Sequence, residues 1–81
     1  MSAFHLEILL PDKQLFSGEI VSLNVPAADG RLGILARHAP LFTLLGKGEV
    51  RAKGRDQADL AWRINAGFLK VEKGRAQILL G

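Results

Sequence analysis

Cysteine is absent from this sequence, which removes disulfide staples and thiolate metal ligands together. A reducing compartment is permitted by that absence. Histidine occurs only at His5 and His38, so imidazoles at metal-ligand spacing are missing too, and neither a metal nor an organic cofactor is expected. Tyrosine is also absent. One tryptophan and four phenylalanines leave little material for a base-stacking platform or an aromatic-lined cleft. No apolar run approaches the roughly 20 residues of a membrane-spanning helix. Met1-Ser2-Ala3 lacks the basic start and apolar core of a signal peptide, so a cytoplasmic location is expected.

Catalytic chemistry is equally hard to assemble. Ser2, Ser17 and Ser22 fall in a terminus, a turn and a strand without a nucleophile motif, and the acids stand singly, mostly where turns explain them. Gly46-Lys47-Gly48 suggests a phosphate loop, but it lacks the upstream glycine, the following Ser or Thr and the helix that would complete one. It reads as a turn. No catalytic residue is expected, and the chain is read as non-enzymatic. A formal net charge of +3 raises the alternative of a small basic β-barrel that binds nucleic acid. The densest basic run, Arg51-Ala52-Lys53-Gly54-Arg55, instead alternates with small residues as one solvated strand face and a turn would.

What the sequence has in quantity is period-two alternation. Phe4, Leu6, Ile8 and Leu10 alternate with His5, Glu7 and Leu9, and Val21, Leu23 and Val25 alternate with Ile20, Ser22 and Asn24. Pro11-Asp12-Lys13, a break at Ser17-Gly18 and Pro26 are expected to bound these strands. Asp29-Gly30 predicts a tight hairpin, since both residue types tolerate the positive φ that such a turn needs, with positive φ expected at Gly30. Beyond Gly33-Ile34-Leu35, the corner His38-Ala39-Pro40 separates that strand from Leu41 to Leu45. Further strands are predicted over 49–53, 60–65, 68–72 and 75–80. Eighty-one residues make one domain, and short strands with frequent turns argue an all-β sandwich or barrel. The aromatic residues Phe4, Phe16, Phe42, Phe68 and Trp62 are placed mostly at core phase. Leu9, Leu35 and Leu79 fall out of phase, and Leu41 to Leu45 is apolar on both sides. Either that strand is internal on both faces, or a partner covers one of them.

Gly30-Arg31-Leu32-Gly33-Ile34, His38-Ala39-Pro40-Leu41, Gly48-Glu49-Val50-Arg51 and Ala66-Gly67-Phe68-Leu69-Lys70-Val71, with Phe4-His5-Leu6-Glu7-Ile8 and Phe16-Ser17-Gly18 upstream, resemble the epsilon subunit of F-type ATP synthase. The resemblance spans nearly the whole chain. It implies a flattened β-sandwich of two mostly antiparallel sheets over residues 1–81, without the carboxy-terminal helical hairpin of typical members. It also implies a rotor role in the central stalk, linking the gamma subunit to the c-ring so that ion flow is coupled to ATP synthesis. Such a protein is peripheral, on the cytoplasmic face of a bacterial inner membrane. By match to the family, Ala27, Ala28, Asp29, Gly30, Arg31, Leu32 and Gly33 are the expected c-ring contact. His38, Ala39, Pro40, Leu41, Phe42 and Thr43 are the expected gamma contact. Ala36-Arg37 stands where the family usually has Pro-Gly, so the turn before His38 is the least family-like part of either surface.

Overall fold

The computed structural model describes residues 2–81, and they form eight strands with no helix. These are β1 (Phe4–Leu10), β2 (Lys13–Ala27), β3 (Gly30–Ile34), β4 (Leu41–Leu45), β5 (Gly48–Gly54), β6 (Asp59–Ile64), β7 (Gly67–Glu72) and β8 (Arg75–Leu79). The order β4-β7-β8-β1 continues into the first half of β2 and makes one layer. The second half of β2 lies between β3 and β5, with β6 outside β5, and makes the other. All pairings are antiparallel except β1 with β8. The expected two-sheet sandwich is therefore present, with its layers joined through one long strand.

That strand, 15 residues long, departs from the expected punctuation at both ends. Ser17-Gly18 does not break it, because both residues pair with β1, and Gly18 leaves room for the Phe16 ring, which lies 3.0 Å from where a Cβ would stand. Pro26 does not stop it either. Proline has no N–H to give a ladder, but its carbonyl accepts the Gly46 N–H at 2.7 Å while the chain runs on to Ala27. The bend between the layers falls where Ile20 and Val21 are buried in succession and the register with β5 slips. An extra residue there increases local twist and redirects the strand.

The core is drawn from both layers. Leu6, Ile8, Leu69 and Ile78 of the first layer and Leu23, Val25, Ile34 and Val50 of the second are fully buried. Each contributes on the order of 1.5–3 kcal/mol by leaving water. Phe16 and Trp62 close one flank with ring centroids 4.9 Å apart. No polar or charged side chain is buried among the described residues, so polar groups do their work on the outer faces.

Candidate interaction surfaces

On the outer face of the first layer, cross-strand register sets Leu44 beside Phe68, Phe68 beside Leu79, and Leu79 beside Leu9. This row crosses β4, β7, β8 and β1. Phe42 adjoins it, its ring 5.6 Å from that of Phe68 and tilted by 44°. Phe42 is 63% exposed, Leu44 55%, Phe68 42% and Leu79 39%. The expected core phase of Phe42 and Phe68 is thus corrected: both point to solvent. A contiguous apolar row of this kind is unusual on a soluble domain without a partner.

The rest of the same face is polar and satisfies itself. Glu7 accepts hydrogen bonds from Gln77 at 2.8 Å and Gln14 at 3.3 Å, and Arg75 lies 3.5 Å away. His5 Nδ1 donates to Glu19 at 2.9 Å, and its Nε2 stands 3.0 Å from the Ser17 hydroxyl. His5 is 12 and 14 residues from Ser17 and Glu19 in the chain, so no local motif unites them. Their connectivity is that of a hydroxyl–imidazole–carboxylate relay, brought about by the pairing of His5 with Glu19 and Glu7 with Ser17. It lies on an open sheet face where nothing excludes water, so the geometry favours a structural ladder over nucleophilic catalysis.

The β2–β3 hairpin is closed by Ala27 opposite Gly30, with Ala28 and Asp29 as the turn. Within the hairpin Gly30 takes the expected positive φ, at +129°. A side chain at Gly30 would meet no neighbour, so its constraint is backbone geometry rather than space. Of the expected c-ring residues, Ala28, Asp29, Gly30, Arg31 and Gly33 are exposed and Ala27 is half-buried, while Leu32 packs against the core. Arg31 does not wave freely: its Nε donates to Asn24 Oδ1 at 2.6 Å, and its Nη2 to the Asn24 carbonyl at 3.4 Å. The hairpin root is tied to the end of β4 by Ala28 N–H to the Leu44 carbonyl at 3.2 Å. The hairpin and the apolar row are therefore adjoining parts of one rigid body.

The expected gamma segment divides. Phe42 joins the apolar row, whereas Leu41 packs against the core and Thr43 lies half-buried on that same inner side. Ala39 and Pro40 are exposed, and His38 Nδ1 donates to the Ala39 carbonyl at 2.7 Å, stiffening the corner. Leu44, Phe68 and Leu79 were outside the expected site. Leu79 was already out of phase, and Phe68 alternates with Leu69 and Val71 on the side of Lys70 and Glu72, which was the available signal.

The outer face of the second layer is charged. Glu49 accepts from Arg51 Nε at 2.6 Å, and this bond, helped by the charges of Arg51, Arg63 and Arg31, holds its carboxyl below the usual value. Lys53 pairs with Asp59 at 3.1 Å. Among the described residues, no group of three or more histidines and acids is placed to hold a metal.

Residues 3–80 match the family model described as the ATP synthase, Delta/Epsilon chain, beta-sandwich domain. The chain is 39% identical over 77 residues to the ATP synthase epsilon chain of Chlorobium limicola, covering 95% of this chain and 88% of that one. It is 40% identical over 76 residues to the epsilon chain of Dichelobacter nodosus, of which it spans about half, 53%. In fold it resembles a chain of the Euglena gracilis mitochondrial ATP synthase, in a structure of OSCP, F1 and c-ring. There the TM-score is 0.91 at 18% identity, covering 99% of this chain and 51% of that one.

Proposed function

The chain belongs to the delta/epsilon family of ATP synthase chains through its β-sandwich domain, and from that premise we propose that it is a non-catalytic rotor element linking gamma to the c-ring. The apolar row of Phe42, Leu44, Phe68 and Leu79 lies against gamma, with Pro40 and Ala39 extending that contact from the corner. The exposed hairpin residues Ala28, Asp29, Gly30 and Arg31 meet the polar loops of the c-ring. In this reading the protein is peripheral, held at the cytoplasmic face of a bacterial inner membrane by its complex.

The observation that carries this reading is the continuity of the two surfaces through the Ala28–Leu44 hydrogen bond. A link between two partners transmits torque only if its contacts cannot shear past each other, and a packed sheet supplies that stiffness. Broad apolar burial suits a permanent partner, while a charged, narrow tip suits short polar loops. The test is reconstitution: a synthase stripped of its epsilon chain and supplied with this 81-residue protein regains proton-driven ATP synthesis. No gain in synthesis, with the protein remaining in the unbound fraction, contradicts the reading.

A further inference from the structure

The outer face of the second layer presents more guanidinium groups than its own carboxylates use. Arg51 is bonded to Glu49. Arg31 and Arg63 flank the same carboxylate, yet among the described residues neither has an acid within ion-pair distance. Register explains the arrangement, since Glu49 is opposite Arg63 on β6 and Arg51 is opposite Asn24, the residue that holds Arg31. Arg31 is fixed in advance by its bonds to Asn24, so a ligand that meets it has less side-chain freedom to remove. Beside this group, Gly33 pairs with Asn24 and contributes no side chain, leaving a shallow trough edged by Ser22, Asn24, Arg51 and Lys53.

We infer that this face is a docking surface for an acidic protein segment, whose separate carboxylates are received by Arg31 and Arg63 on either side of Glu49. Charge complementarity selects the partner class. Glu49 and Asp59 are interleaved with the cations, so a nucleic-acid strand, which carries a phosphate on every nucleotide, would press charges onto both acids. A peptide can place its acids only where the arginines are. The surface shares Arg31 with the hairpin but extends across β5 to β6, well away from the apolar row. Binding here does not depend on the rotor reading.

The test titrates the isotopically labelled protein with a synthetic peptide of alternating glutamate and glycine at low salt, followed by amide chemical shifts. Shifts concentrated at Asn24, Arg31, Gly33, Arg51 and Arg63 are expected, fading as salt is raised. Arg63→Gln, outside the hairpin, and Arg31→Gln should each weaken binding about 2–5-fold, the range of a single exposed ion pair. Their melting temperatures should match that of the parent protein, which separates loss of contact from loss of fold. Shifts spread evenly over all basic residues, or tighter binding of a charge-matched DNA oligonucleotide, would overturn the inference. Retention of gamma binding by Arg63→Gln is expected in either case, so failure here leaves the rotor reading intact.

Discussion

One sheet face carries two neighbourhoods that treat their side chains in opposite ways. Around Glu7 and His5 every polar group finds a partner on the adjoining strand: Gln77, Gln14 and Arg75 serve Glu7, and Glu19 and Ser17 serve His5. Farther across the same sheet, on β4, β7 and the end of β8, Phe42, Leu44, Phe68 and Leu79 find only each other. The polar half is finished within the molecule. The apolar half is not, because hydrophobic contact gains free energy only by removing area from water, and here the area remains in it. Under the proposed rotor role, that difference marks the apolar half as the partner face.

The contrast can be broken most forcefully at two adjacent residues of β7. Leu69 is fully buried and Phe68 is 42% exposed. Leu69→Ala should lower stability by about 2–5 kcal/mol, seen as a large drop in melting temperature of the isolated protein. Phe68→Ala should change it by no more than about 0.5 kcal/mol while weakening the partner contact. Equal destabilisation by both would mean that the outer row is already part of the core.

A second variant sharpens the boundary between row and hairpin. Gly30→Val forces a β-branched residue into φ near +129° with open space around it, so a cost of about 1–3 kcal/mol reports backbone strain alone. The displaced Arg31 should weaken c-ring association. Unchanged melting and unchanged assembly would show that the turn adapts and that its geometry is not what presents Arg31.

The smallest expected effect lies on the charged face. The Glu49 carboxyl is held low, chiefly by the Arg51 hydrogen bond. Because its folded value is depressed, its contribution to stability is present above the unfolded value and is lost as pH falls through the folded one. Arg51→Gln should therefore raise the Glu49 titration midpoint, followed by carboxyl carbon shifts. The small gap in melting temperature between parent and variant near neutrality should close in acid below the usual carboxylate range. An unmoved midpoint would mean that Arg51 does not set it.

The strands were legible because alternation is a direct consequence of burying one side of a pleat, and β1, β7 and β8 appear close to where the pattern puts them. The length of β2 was not legible. Gly18 and Pro26 ordinarily interrupt strands, and here Gly18 makes room for the Phe16 ring of its own strand while it pairs with β1, and the Pro26 carbonyl is used by the Gly46 amide, a distant group that no local window contains. The apolar row was half visible: Leu79 broke phase openly, but Phe68 was hidden by the assumption that an aromatic residue belongs inside. The Arg31–Asn24 bond required the hairpin register, which depends on how β2 turns.

The central claim is that the apolar row binds gamma, and calorimetric titration of this protein into purified gamma tests it most directly. Phe42→Asp and Leu44→Asp place charges on exposed positions, so both variants should melt as the parent does. Each should lose about 2–4 kcal/mol of binding free energy, as central interface residues do. Glu7→Gln, on the finished half of the face, should bind as the parent does. Parent-like gamma binding by both aspartate variants would contradict the account.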